Sequence, residues 1–418
     1  MHTIIVLASV LLPLIGVMQM ENGAFGNSIG MYGYPNGVSV VYAIYAAVLL
    51  GAYFTLRAGT AVAPAVPVRS ESYFRVYATL LSFLLVLFLL ISLFGFGGWA
   101  VWLGQVGKGE FRANLGRFGA AAYLLINSVI PLLMAYAAVL YRGTTAGWRD
   151  RGGLAVLLSL TLLIGSTWGF KATGITMLFP VILVLFWNAG IVRVFWVCSA
   201  IAFIITAFFY LFDSKTDEAA SGLTFLLTRL TTLQGDVSWL LWNQYTEGTT
   251  FPSYLQTMFA FVGGRVFSIM SGITREMPDL WVDYHFDILV GQLVGLPLSV
   301  VNEGHSIVGT PFSDGLVLGG VPGVMGMALF AGLLCGMLCT LIEYSLRLGY
   351  CKGAALLVTY FGIFVLTFLR NGAAVQLIHI ATVVGLLIAL ALCLALDRLA
   401  LLFCNQVSPL QRSQKGIE

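Results

Sequence analysis

Charge is what this chain is short of: 9% of its 418 residues are Asp, Glu, Lys or Arg, where a soluble domain carries roughly a quarter. With 59% apolar residues and a mean hydropathy of +0.94, there is too little polar surface to cover a globule in water. The net charge of +3 is too weak to imply a nucleic-acid partner. Cysteine is sparse as well. The six cysteines (198, 335, 339, 351, 393 and 404) lie in apolar runs or in connections read as cytoplasmic, and none forms a C-x-x-C pair. A disulfide framework and a structural zinc are both disfavoured. The sequence also lacks a P-loop, a G-x-S-x-G elbow, an H-E-x-x-H pair and a dinucleotide fingerprint. Nucleotide-driven transport and serine hydrolysis lose their usual support.

What the chain has is long apolar runs. Ten of them, near 3–19, 38–56, 76–96, 118–141, 153–169, 173–189, 194–212, 314–342, 353–369 and 373–396, approach or exceed the length that crosses the hydrocarbon core. The expectation is an all-α polytopic membrane protein with about ten transmembrane helices. Spans one to seven occupy 1–212, a large loop with interfacial helices occupies 213–313, spans eight to ten occupy 314–396, and 397–418 is a cytoplasmic tail. The run 4–17 follows no basic residue and precedes no small-x-small cleavage site, so it reads as a retained span.

Lys and Arg set the orientation. With the N-terminus and C-terminus both inside, 12 basic and 5 acidic residues fall inside, against 9 basic and 13 acidic outside. The short inner connections then obey the positive-inside rule. The outer basic residues are the exceptions that need a reason: Lys108, Arg112, Arg117, Lys171, Lys215, Arg229, Arg265, Arg275 and Arg370.

Lys108 and Arg112 stand four apart on one helical face and Arg117 opens the fourth span. Such a trio suits a lipid-linked phosphate, and it equally suits snorkelling to headgroups. Lys171 and Arg370 sit in tight outer turns, where each serves either as a ligand contact or as the partner of an outer acid.

The stretch Asn302, Glu303, Gly304, His305 through Pro311 and Asp314 to Gly319-Gly320 pairs an acid with an imidazole at the membrane surface. That pair is suited to taking a proton from a sugar hydroxyl, while Asp314 favours a helix N-terminus. The plainer reading is a polar loop with an acidic cap. Asp279, Asp283 and Asp287 repeat every four residues after Arg275, which reads as a solvated stripe more readily than as a Mg²⁺ or Ca²⁺ site. His379 reads as a hydrogen-bonded histidine about two turns into the last span. Within 213–313, the segments 221–232, 236–245, 252–270 and 281–298 have helical periodicity. Trp239, Trp242, Tyr245, Trp281 and Tyr284 suit the headgroup level.

The ten-span layout, the basic outer loop around Arg112 and Arg117, and the pattern His305…Pro311…Asp314-x-Leu316-x-x-Gly319-Gly320 resemble the Wzy-type O-antigen and polysaccharide repeat-unit polymerases. They also look like the related O-antigen ligases. The resemblance implies a GT-C-like, metal-independent membrane glycosyltransferase with no cofactor, in a bacterial inner membrane, with its active site facing the periplasm. Donor and acceptor would be undecaprenyl-diphosphate-linked oligosaccharides, and a chain-length regulator protein would be a further partner. His305 matches by position the histidine of the ligases' last large outer loop, but the Asn that follows it in ligases is missing here. On this reading Lys108, Arg112, Arg117, Lys171 and Arg370 hold diphosphate, joined by Asp314 as a substrate-binding residue. Glu303 or His305 is the base, and Trp239, Trp242 and Tyr245 stack against sugars. A lipid-linked oligosaccharide flippase or other transporter is the competing class. A third reading, a membrane acyltransferase, lacks an obvious catalytic histidine among the early spans.

Overall fold

The computed structural model describes residues 1–58, 71–103, 105–106, 111, 115, 117–144, 147–168, 173–190, 192–194, 196, 199–200, 228, 231–251, 259–262, 264–274, 277, 290–291, 293–295 and 309–414. In chain order the elements are α1 (His2–Glu21), a hairpin of β1 (Phe25–Gly26) and β2 (Met31–Tyr32), α2 (Val38–Arg57), α3 (Glu71–Leu90), α4 (Gly98–Trp102), α5 (Arg117–Leu124) and α6 (Ile130–Arg142). There follow α7 (Trp148–Thr167), α8 (Thr173–Phe186), α9 (Thr232–Thr246), α10 (Gly264–Ser271), α11 (Pro311–Arg347), α12 (Cys351–Thr359), α13 (Leu366–Asn371), α14 (Val375–Ile378) and α15 (Ile380–Gln414). Single π turns carry α3 through Ile91–Gly95, join α5 to α6 through Leu125–Val129, and join α12 to α13 through Tyr360–Val365.

The protein is an all-α polytopic membrane protein. Among the described residues seven helical stretches are long and apolar enough to span: His2–Glu21, Val38–Arg57, Ser72–Gly95, Ala121–Arg142, Pro311–Arg347, Cys351–Asn371 and Ile380–Cys404. That is fewer than the ten expected, for identifiable reasons. The 173–189 run forms a helix of only 14 residues, Thr173–Phe186, about 21 Å at 1.5 Å per residue. The 153–169 run belongs to α7, whose first turn carries Arg149, Asp150 and Arg151. Most of 194–212 lies outside the described residues.

The chain divides into two compact units. The first comprises Met1–Thr60, Ile191–Thr340 and Phe364–Val383. Glycine lets its helix backbones touch. A Cβ on Gly16 would lie 2.1 Å from the Thr231 carbonyl oxygen, and one on Gly235 would lie 2.3 Å from the Val17 nitrogen. Thus α9 is pressed on α1, and the Gln19 Oε1 accepts hydrogen bonds from the Thr231 and Thr232 hydroxyls at 2.9 and 2.6 Å. Gly332 and Gly336 meet α2 in the same way, at the carbonyls of Leu49 and Tyr53.

The longest helical element, α11, is not a single rod. Gly319 (φ −169°, ψ 34°) and Gly320 (φ 61°, ψ −145°) leave helical geometry. Residues eight apart in a straight helix are separated by about 12 Å along its axis. A Cβ on Gly323 would instead lie 2.1 Å from the Gly315 carbonyl oxygen. The 311–318 arm therefore doubles back against the 321–347 arm, which by itself exceeds the roughly 30 Å hydrocarbon core. The span expected at 314–342 is thus the spanning arm of a helical hairpin whose other arm is short.

The second unit comprises Ala61–Gly190, Leu341–Ile363 and Val384–Glu418. Its centre is α6, in which every residue from Ile130 to Leu140 is buried. An all-apolar stretch with no polar face is satisfied only by neighbours on every side, here α3, α7, α8 and α12. The Arg75 Nε meets the fully buried Asp150 Oδ1 at 2.7 Å. Asp397, 4% exposed, accepts hydrogen bonds from the Tyr73 and Tyr136 hydroxyls and pairs with Lys352. Residues 397–418 are the stretch expected as a cytoplasmic tail; Asp397 at its start is a buried residue of α15, which continues to Gln414.

Candidate functional site

Apart from Arg117, which belongs to the second unit, the described residues of the expected site lie in the first unit, on and around two interrupted helices. The first interruption is Gly319-Gly320; the second separates α13 from α14 and α15. There Gly372 (φ 70°, ψ −144°) is followed by Ala373 at φ 58°, a left-handed value rare outside glycine. Asp314 explains how this backbone is held. Its carboxylate is fully buried, with Oδ1 accepting the Ala373 N–H and Oδ2 the Ala374 N–H, each at 3.1 Å. Ala374 is the N-cap of α14. A side chain from another helix thus caps α14, and the anionic charge is matched to the N-terminal dipole. No other residue type suits position 372: a Cβ there would lie 2.5 Å from Asp314 Oδ1, and the φ, ψ pair is essentially glycine's own.

Around the start of α11 the polar side chains are satisfied among themselves. The Ser238 hydroxyl lies 3.1 Å from both the Thr310 and the Ser313 hydroxyls, and the Tyr42 hydroxyl donates to Thr310 at 3.4 Å. The Phe312 ring stacks on Tyr42 at 4.8 Å, and Trp242 lies 6.5 Å from Phe312. Buried hydroxyls linked this way avoid the cost of unpaired polar groups in an apolar setting.

The aromatic residues of α9 are placed differently from the expectation of a helix resting at the headgroups. Trp239 is fully buried and Trp242 is 8% exposed. Their indole N–H groups donate to the backbone carbonyls of Tyr34 (3.0 Å) and Asn36 (3.1 Å), tying α9 to the segment between the hairpin and α2. The physical reason is the glycine contact with α1, which turns this face of α9 inward. Asp236 belongs to the same seam: it accepts the Ser28 N–H at 3.0 Å, and burial raises its pKa. Tyr245 is exposed, packs on Trp242 at 5.7 Å, and covers Gly320, where a Cβ would meet its hydroxyl at 2.7 Å. Of the three aromatics, Tyr245 is the one whose side chain is exposed.

Arg370 is exposed at the end of α13 and its Nε donates to Asn371 Oδ1 at 3.2 Å. His379 is corrected in position: it lies between α14 and α15, before the last span begins, and not two turns inside it. Its Nδ1 accepts the Ala381 N–H at 3.1 Å. Burial lowers its pKa.

Glu303, His305, Lys108, Arg112 and Lys171 lie outside the described residues, as does the Asp279, Asp283, Asp287 stripe. Arg117 is described only as the first residue of α5. Among the described residues no group of three or more His, Cys, Asp or Glu is arranged to hold a metal ion.

Sequence reading passed over the capping role of His379 and the pairing of Lys352 with Asp397. A signal for the first was present in the break sequence Asn371-Gly372 just upstream, and for the second in an acid that closes an apolar run. Comparison of the chain with protein-family models, with curated proteins and with solved structures finds no match. The fold and site define a class, an all-α polytopic membrane protein with two interrupted helices joined by a buried carboxylate.

Proposed function

We propose that the protein is a membrane-embedded glycosyltransferase that polymerises undecaprenyl-diphosphate-linked oligosaccharide repeat units at the outer face of a bacterial inner membrane, with both termini inside. The observation that carries this reading is the Asp314 clamp on the turn that follows Arg370. A rigid turn fixes the backbone from which a guanidinium reaches, and such preorganised donors stabilise the charge that leaves with a lipid diphosphate. The Tyr245 face adds a surface suited to a sugar ring. In this account Asp314 acts on the backbone of the turn, and Glu303 or His305 removes the proton from the acceptor hydroxyl.

A polysaccharide length profile from a deletion strain tests the reading. Surface lipid bearing one repeat unit fits a polymerase, and polymer left on its carrier fits a ligase. Repeat units trapped inside the cell fit a flippase. The flippase or transporter reading has one observation in its favour: discontinuous helices, here at Gly319-Gly320 and at 372–379, are how transporters build substrate sites.

A further inference from the structure

The connection between α1 and α2 is short, uncharged and pinned in place. No Asp, Glu, Lys, Arg or His occurs from Asn22 to Gly37. The chain turns back as it leaves α1: the Ala24 N–H donates to the Gln19 carbonyl at 3.0 Å, and a Cβ on Gly33 would lie 2.0 Å from the Met20 carbonyl oxygen. The base of the β1–β2 ladder therefore sits beside the last turn of α1, where a 20-residue helix of about 30 Å reaches the edge of the hydrocarbon core. The register pairs Phe25 with Tyr32 and Gly26 with Met31. Gly26 is buried against α9, where a Cβ would meet the Asp236 Cβ at 3.1 Å. Side chains alternate along a strand, so Phe25 and Tyr32 share the opposite face. Their rings meet edge to face at 5.0 Å, and both are exposed, Tyr32 to 71%.

We propose that this face is a lipid-binding surface: Phe25 and Tyr32 lie in the headgroup layer at the Glu21 end of α1 and anchor the hairpin to the bilayer. One residue beyond the ladder's base is about 3.3 Å, inside the roughly 5–7 Å that headgroups occupy on each side of the core. Continuity favours lipid as the occupant, because the exposed face joins two membrane-spanning helices and its connection carries no charge to hold water or a charged partner. Tyrosine suits that layer, with an apolar ring and a hydroxyl that stays hydrated. The anchor serves α9. The Ser28 N–H bonds Asp236, and the Trp239 and Trp242 indoles bond the carbonyls of Tyr34 and Asn36. A hairpin held in the headgroups thus fixes the depth of α9, and of Tyr245 on it, whichever reaction the protein performs. The headgroup contact expected of Trp239 and Trp242 falls to Phe25 and Tyr32.

Nitroxide labels read that depth. Phe25→Cys and Tyr32→Cys are labelled in full-length protein whose native cysteines are replaced, and reconstituted in vesicles of phosphatidylethanolamine and phosphatidylglycerol. Dissolved oxygen, which partitions into lipid, should relax both labels more strongly than a water-soluble nickel chelate does. Stronger relaxation by the chelate at either position puts the face in water, and protection from both agents puts it under protein; each result overturns the inference. A second measurement keeps the native cysteines. Benzoylphenylalanine substituted for Tyr32 and irradiated in native membranes should give adducts with phospholipid. Adducts with a polypeptide alone, a second copy of this chain included, would overturn the lipid assignment.

Discussion

Asp314 on α11 and Ala373 in the turn after α13 are joined by a 3.1 Å hydrogen bond from a backbone N–H to a buried carboxylate, 59 residues away in sequence. The bond reaches a residue held at φ 58°, and the second carboxylate oxygen takes the next N–H. A turn that alanine rarely adopts is thereby made the stable one, and the side chains on either side of it inherit a fixed origin.

Replacement of Asp314 should therefore be felt in the turn before it is felt anywhere else. Asp314→Ala leaves two buried N–H groups without their acceptor, at about 1.5–3 kcal/mol for each hydrogen bond to a charged group. Asp314→Asn retains one acceptor oxygen and should lose roughly half as much. Thermal unfolding in detergent, beside a polymer ladder from cells, checks both. An Asp314→Ala protein that unfolds at the wild-type temperature and still makes polymer would remove the clamp from the account.

The two adjacent glycines in α11 should differ. Gly319 has an extended φ of −169° and open space at its Cβ position, so Gly319→Ala is expected to be mild. Gly320 combines φ 61° with the Tyr245 hydroxyl 2.7 Å from a Cβ, so Gly320→Ala should cost on the order of 1–3 kcal/mol. Equal stabilities for the two variants would argue against the helical hairpin.

In the second unit, Lys352 and Asp397 should behave as a pair. Lys352→Met strands a carboxylate that is 4% exposed and should destabilise by about 3–5 kcal/mol. Adding Asp397→Asn should restore much of the loss, since the tyrosine hydroxyls of Tyr73 and Tyr136 can still find a partner in the amide. A double-mutant cycle from unfolding midpoints gives the coupling; additive losses would mean that the pair carries no shared energy.

The His379 cap gives a pH dependence with a definite sign. Burial holds its folded pKa below the ordinary imidazole value of 6.5, so the unfolded chain binds the proton more readily. The stabilisation is complete above that ordinary value and is lost as pH falls through it toward the folded pKa. Once pH falls below about 6.5, unfolding midpoints should drop faster for wild type than for His379→Asn, whose cap does not titrate. Parallel curves would show that the ring does not cap α15.

Which parts of this were legible in the sequence follows from what hydropathy encodes. Uniformly apolar segments such as α1, α2 and α6 announce themselves, because every backbone polar group within lipid must be paired inside its own helix. The apolar run of 311–347 continues across Gly319-Gly320, so the same signal that finds the helix hides its fold-back. Trp239 and Trp242 read as headgroup anchors because tryptophan is amphipathic. Their burial depends on Gly16 and Gly235, 219 residues apart, lying in backbone contact. Asp314 was singled out for its helix start; its partner at residues 373–374 is a backbone, and backbone partners leave no mark in a side-chain pattern. Asp150 and Asp397 are each buried against a cation, a pairing that the apolar pattern does not encode.

The central claim is that the protein transfers glycosyl units between lipid-diphosphate carriers, and turnover by the purified protein tests it most directly. Lipid-linked repeat units in detergent or proteoliposomes should be converted to a ladder of longer products, with release of undecaprenyl diphosphate, in the presence and absence of EDTA. Arg370→Ala should slow this conversion strongly, and His305→Ala or Glu303→Gln should stop it while the substrate still binds. Carrier-linked repeat units that move across the proteoliposome membrane without lengthening would contradict the account and identify a transporter.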